Sequence, residues 1–346
     1  MIQKKRVMIL TGVCLLSLFF ATAPYAADSP VTLNWVSFVA KNNYIYKLVQ
    51  ECFIDKLNER AKGELVVKFR GGPETFSPFD IPKVVQDGVV DIGTTFCGAI
   101  EPVVPGVQAD MLTQLTLEEE RRPGGAYEFI LDMYKQRGLY LLGRGTNVRK
   151  KGFFYTVLRN KRVERPQDLK GLTMGGTTAA QAPAMGWGCT YTLIHLADAY
   201  TAMERGVVDA LQGRPASGYF HDSVYEVAKY IIAPAIYSST DRVIMNLKSL
   251  NKLPQHLQKL LIDTFIEAEK EMGRRAEKME DEDLKWMVDK GHLELIKFSP
   301  EDTKWYVDAA YQSAWDYQQK ISDRPNNWTL DKKDVKQAIL ACSKLP

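Results

Sequence analysis

Between Glu164 and Gly213 the chain reads ERPQDLKGLTMGGTTAAQAPAMGWGCTYTLIHLADAYTAMERGVVDALQG, and the order of its apolar runs leaves few folds open. It reads as strand, glycine turn, helix, second strand, second helix and third strand. Leu172 to Met174 predicts a short buried strand that stops at Gly175-Gly176, after a polar lead-in in which Pro166 biases its predecessor toward extended geometry. Thr177 or Thr178 then suits the N-cap of a helix through Met185, which Pro183 limits to about two turns. Asp198 is positioned to cap a further helix with Ala199, Ala202 and Met203 on one face and Gly206 at its end. Val207, Val208, Ala210 and Leu211 predict the next buried strand. Strand-helix-strand units with short links belong in a mostly parallel sheet. Ligands of such sheets bind beyond the carboxyl ends of the strands, so the Gly175 turn and the Gln212 to Pro215 segment should face a pocket.

The rest of the chain repeats this grammar. Val31 to Val36 alternates as a strand, and Phe38 to Tyr44 forms a loop beyond its carboxyl end. Ile45, Leu48, Val49, Cys52, Phe53 and Leu57 recur at helical spacing in a helix from Tyr44 to Lys62 that Gly63 ends. Leu65 to Phe69 predicts a strand, Phe76 to Gly88 holds a short helix, and a strand follows around Val90 to Gly93. A helix over Glu118 to Arg137 and a strand from Leu139 lead toward Phe153-Phe154-Tyr155, the natural crossing into a second lobe. Tyr219 to Val227 predicts a helix, Tyr230 to Ala233 a strand, and Arg242 to Asn246 a strand returning to the first lobe. The charged run from Pro254 to Met287 carries an apolar stripe and predicts a long helix with a solvated face. Ser299-Pro300-Glu301-Asp302 is a strong helix start, with a serine cap, proline at the first position and acids near the positive end of the dipole.

Taken in combination, DLKGL, the glycine-containing turn and AYTAMERGVVDAL resemble the core signature of the extracytoplasmic solute receptors of TRAP transporters, the DctP-type family. The strand ending in Ser299 followed by a capped helix rich in tryptophan resembles the same family's C-terminal part, so the likeness covers roughly residues 30 to 320. It implies an α/β protein with the two-lobed periplasmic binding protein fold, a ligand cleft between the lobes and a long helix linking them. The expected division is residues 28–152 with about 240–283 in lobe I, and 153–239 with about 284–346 in lobe II. It further implies capture of a small organic solute, delivery to TRAP-type membrane permease subunits, a monomer, and no enzymatic activity or cofactor.

The resemblance also locates candidate ligand-binding residues. Family members usually carry an arginine four residues after the glycine of the LKG motif, where this chain has Gly175; a second arginine, used by sialic-acid-type members, falls on Tyr155. Three substitutes for a carboxylate clamp remain. The backbone of Gly175, Gly176 and Thr177 could hold an anion at a helix start. Arg214 and Gln212 lie at the end of the third strand of the opening stretch. Arg144 and Arg149 lie on the crossing strand. A surface or interlobe ion pair is the competing role for each arginine. Phe38, Phe96, Phe154, Tyr155 and Trp187 could line an apolar or aromatic-accepting pocket, with core packing as the competing role. A monocarboxylate, or an aromatic or apolar acid, is the expected solute; a neutral or weakly polar solute and a ligand-sensing role are the alternatives.

Charge and cysteine usage narrow the compartment and the chemistry. The formal net charge of +3 comes from Lys4, Lys5 and Arg6; without them 42 basic residues face 42 acidic ones, a balance that gives no reason to expect nucleic acid. Those three residues, the apolar run from Val7 to Phe20 and the small-residue tail through Ala26-Ala27 predict a secretory signal over residues 1–27 and a periplasmic protein. After its removal Cys52, Cys97, Cys189 and Cys342 remain, which permits disulfides or buried thiols and lacks the spacing of a metal site. His195, His221, His256 and His292 are dispersed, and no hydrolase elbow, phosphate loop or dinucleotide turn occurs. A secreted cysteine hydrolase built on Cys189 and His195 is the remaining enzyme alternative, with no reason at that spacing to expect an activated thiolate.

Overall fold

The computed structural model describes residues 29–113, 115–146, 152–238 and 241–323. The expected signal segment, Arg149 and Cys342 lie outside the described residues.

Eleven described strands form two sheets. β1 (Val31–Ser37), β2 (Leu65–Gly71), β3 (Ile92–Phe96), β4 (Leu139–Arg144) and β10 (Asp241–Asn246) make a five-stranded sheet in the order β2-β1-β3-β10-β4. β5 (Phe154–Leu158), β6 (Thr173–Gly176), β7 (Thr190–Leu193), β8 (Ala210–Arg214), β9 (Tyr230–Ile236) and β11 (Glu294–Lys297) make a six-stranded sheet in the order β11-β9-β5-β8-β6-β7. β1, β2 and β3 run parallel, as do β6, β7 and β8. β10 enters the first sheet antiparallel to β3 and β4, so the chain returns from the second sheet as expected.

The helix Gln255–Asp289 links the two bodies. Its Leu257, Leu261, Phe265, Ala268 and Met272 complete the core over the five-stranded sheet, and Met287 enters a core of the six-stranded sheet. One stripe thus serves two cores, with charged residues on the outer face. The last described helix, Pro300–Asp323, starts as its sequence predicts, with Ser299 Oγ accepting from the Asp302 amide at 3.1 Å.

Several local expectations are corrected. The helix anticipated over Glu118 to Arg137 is two, Leu117–Arg121 and Ala126–Lys135, because Pro123 and the Gly124-Gly125 pair interrupt it. Val207 is 55% exposed and precedes the strand, which begins at Ala210. Neither Thr177 nor Asp198 caps through its side chain, although both occupy N-cap positions. The helix expected over Tyr219 to Val227 starts earlier and ends at His221. Of the two states that the sequence left open for the cysteines, Cys52, Cys97 and Cys189 adopt that of buried free thiols.

Candidate functional site

The parallel strands of both sheets end on a common cavity of about 820 Å³, within the range of roughly 300–1,000 Å³ usual for small-molecule pockets. From the first sheet, the loop after β1 contributes Phe38 and Asn43, the following helix contributes Tyr44, the loop after β2 contributes Phe79, and β3 ends in Phe96. From the second, Thr177 follows β6, Ile194 and His195 follow β7, and β8 ends in Arg214. His221 and Asp222 close the short helix Ala216–His221 that follows Arg214.

The wall from the first sheet is aromatic. Phe38 and Phe96 meet with ring centroids 5.3 Å apart, Phe79 packs edge-on against Phe96 at 5.2 Å, and His195 of the opposite wall reaches Phe79 at 5.6 Å. Tyr44 stacks on His221 across the cavity. Such rings bury large apolar area and accept flat or apolar ligand surfaces.

The opposite wall carries a largely buried ion pair, and Lys47 on the first wall is exposed. Arg214 is 8% exposed, forms an ion pair through Nη2 with Asp222 Oδ2, and leaves Nη1 buried with no hydrogen-bond partner. Its guanidinium is 5.9 Å from the Tyr219 ring centroid. Burial lowers the Arg214 pKa from the ordinary arginine value, yet a guanidinium keeps its charge. Gly213, with φ of 90°, occupies backbone space that other residues rarely adopt just before Arg214.

Behind this wall lies Glu280 of the long helix, whose two carboxyl oxygens each lie 3.3 Å from the Ser217 amide. Burial pushes the Glu280 carboxyl up to about 8, outweighing the backbone hydrogen bonds that favour its charged form. Burial first, and then Glu280, hold the Tyr44 hydroxyl well above its usual range, so it remains a proton donor.

Of the residues singled out in the sequence, Phe38, Phe96, Thr177 and Arg214 line the cavity together. Gly175 does not: a side-chain carbon there would meet Ile194 and Val208 at 2.8 Å and Leu211 at 3.0 Å, so its side faces packed hydrocarbon. Gly176 presses on β8, where a Cβ would lie 2.1 Å from the Gln212 carbonyl oxygen. The helical run after it is a three-residue turn and a six-residue helix, which gives little axial dipole for an anion. Gln212 is fully buried, with neither amide atom partnered and no place on the cavity wall.

Three aromatic candidates belong to the core. Trp187 stacks on Tyr306 at 4.3 Å and donates from Nε1 to the Tyr306 carbonyl at 2.9 Å. Phe154 is fully buried between Phe153 and Tyr237. Tyr155 is 8% exposed, and its carbonyl accepts from the Tyr219 hydroxyl at 3.0 Å. Arg144 is bound in the first lobe by Glu120 at 2.6 Å, away from the cavity. Cys189 bonds the Leu169 carbonyl at 3.2 Å, and burial pushes its thiol up to about 12, the opposite of an activated nucleophile. Phe79, His221 and Asp222 escaped the sequence reading as site residues, whereas Tyr44 ends the loop expected beyond β1 and His195 entered only as the partner of Cys189 in the hydrolase alternative. Phe79 and His195 follow β2 and β7, so the rule that loops after parallel strands face the site applies to them as well.

Two α/β bodies with parallel strands aimed at one cavity, joined by crossing strands and a single long helix, define a two-lobed solute-binding protein. The chain matches the family described as DctP, bacterial extracellular solute-binding protein family 7, over residues 36–320, and it belongs to that family. Solved structures agree. A TRAP periplasmic solute-binding protein of Marinobacter aquaeolei in an apo open state superposes with a TM-score of 0.76 at 16% identity, covering 90% of this chain and 99% of its own. One from Desulfovibrio salexigens with bound orotic acid gives 0.75 at 16% identity, covering 90% and 98%. One from Sulfitobacter with bound β-D-galacturonate gives 0.73 at 16% identity, covering 90% and 98%. At such identity the likeness is one of fold.

Proposed function

We propose that this receptor captures a small organic monocarboxylate with an aromatic or apolar body, closes its lobes around it, and delivers it from the periplasm to TRAP-type permease subunits. The observation that carries the reading is the buried Arg214 Nη1, which lacks a partner and belongs to a residue on the cavity wall. A buried unpaired donor costs free energy that a ligand acceptor recovers, and guanidinium matches a carboxylate in shape and charge. The aromatic wall of Phe38, Phe79 and Phe96 supplies the surface for the rest of the solute. The structural neighbours crystallised with galacturonate and orotic acid, both organic acids, are consistent with an organic-acid solute. The protein works as an exported monomer from which residues 1–27 are removed.

Closure follows as a population shift: a solute that touches both walls only in the closed state favours that state by the difference in contact energy. A thermal-shift screen of small acids, aromatic acids, amino acids, polyols and sugars against the purified protein tests the reading. An acid should raise the midpoint, and Arg214→Ala should weaken its binding by about 10- to 100-fold, the worth of a charged hydrogen bond. Unchanged acid binding by that variant removes the role given to Arg214. A neutral solute is the second reading, favoured by the Asp222 carboxylate already present on Arg214. Stabilisation by polyols or sugars alone would select it.

A further inference from the structure

We propose that Asp222 is a second solute-reading group, and that the preferred solute carries a hydrogen-bond donor, a hydroxyl or an ammonium, on the carbon next to its carboxylate. The inference rests on the acid reading above and narrows it. Arg214 and Asp222 flank the helix Ala216–His221, which turns the chain back so that the two side chains meet. Both line the large cavity and the narrow recess of about 60 Å³ beside it. The pair is asymmetric. The Arg214 side chain is 9% exposed, whereas that of Asp222 is 36% exposed.

Asp222 holds Nη2 and leaves Nη1 without a partner, so a solute carboxylate can take Nη1 without displacing Asp222. Asp222 is itself held in place, its amide donating to the Gly218 carbonyl at 3.2 Å and the left-handed Ser223, φ 56°, following it. The bound state then places two carboxylates on one guanidinium, and their repulsion opposes binding in a partly desolvated cleft. Lys47 and His221 also border the cavity, but the Lys47 side is exposed and the His221 ring is stacked on Tyr44. A donor on the carbon adjoining the solute carboxylate lies between the two anions. It converts the repulsion into a hydrogen bond to the Asp222 carboxylate, as sites built to bond a donor strongly reject analogues that lack it.

Calorimetric titration of the purified protein with 3-phenylpropanoate, 3-phenyllactate and phenylalanine tests this. These share one carboxylate and one ring and differ in carrying hydrogen, hydroxyl or ammonium on the adjoining carbon. The native protein should bind the hydroxy or the amino acid at least tenfold tighter than 3-phenylpropanoate. Asp222→Leu should bring the three to within about twofold of one another. Asp222→Asn, which keeps an acceptor and loses the charge, should retain the hydroxyl preference and lose the ammonium preference. Melting followed by circular dichroism verifies that both variants fold. Equal binding of the three acids by the native protein overturns the inference and leaves the acid reading standing. A uniform tightening of all three in Asp222→Leu overturns it as well, because Asp222 would then act as a competing internal anion. Failure of all three to bind sinks the acid reading, and this inference with it.

Discussion

Tyr44 and His221 stack across the ligand cavity, their ring centroids 5.3 Å apart and their planes within 24° of parallel. Tyr44 begins the first helix after β1, and His221 ends the short helix after β8, so the pair joins the two lobes at the cavity edge. His221 Nε2 also lies 3.7 Å from Asp283 Oδ2 on the long helix. An aromatic pair is worth about 0.5–1.5 kcal/mol beyond its area. If this one forms on closure, His221→Ala should weaken solute binding by about 2- to 10-fold while leaving the thermal midpoint of the free protein nearly unchanged. Titration of the variant with the best ligand of the screen checks this, and an unaltered dissociation constant would refute the closing role.

The Glu280 carboxyl, pushed up to about 8 by burial, makes stability depend on pH. Its unfolded value is near 4.3, so between those limits the folded state holds a proton that the unfolded state has lost. The stability it contributes is full below about pH 4.3 and declines as pH rises toward 8, by up to about 1.4 kcal/mol per pH unit. Glu101, raised to about 7 by burial, acts in the same direction. Glu280→Gln should therefore show a smaller fall in melting temperature between pH 5 and pH 8 than the native protein. Identical falls in the two proteins would contradict the assignment.

Restoring an arginine at residue 175 should not restore a carboxylate clamp. The side of Gly175 is filled by Ile194, Val208 and Leu211, with clearances of 2.8–3.0 Å to an added carbon. Overpacking of this kind costs about 1–3 kcal/mol. Gly175→Arg is expected to lower the urea midpoint and leave the affinity for acids no better than before. A tenfold gain in affinity would show that the strand can re-aim its side chain toward the cavity.

Glu269 ties the long helix to the five-stranded sheet. It is 1% exposed, and it accepts from Arg121 Nε and from the Arg144 amide, each at 3.0 Å. Breaking such a buried ion pair on one side leaves an uncompensated charge and costs about 3–5 kcal/mol. Urea unfolding of Glu269→Ala should show a loss of that size, since Arg121 is mostly buried and cannot turn freely to water. A loss below about 1 kcal/mol would mean that the network relaxes around the change.

Much of this architecture was legible along the chain because hydrophobic periodicity and glycine or proline punctuation are local signals. The alternation of strands and helices, the return of β10 and the capped start at Ser299 follow from neighbours in sequence. Phe38, Phe96, Thr177 and Arg214 could be placed at the cavity because each sits at or just after the carboxyl end of a parallel strand. The tertiary structure decided which aromatic rings see the solute. Phe154, Tyr155 and Trp187 have the same composition as a pocket wall, yet their side chains fall within the packed cores. Arg214 meets Asp222 only because the helix between them reverses the chain, and Tyr44 meets His221 only because the strand ends of two separate sheets come to one cavity. Periodicity states which face of an element is buried. It carries no term for which distant element covers that face, and burial by that partner sets the environment of Arg214 and Glu280.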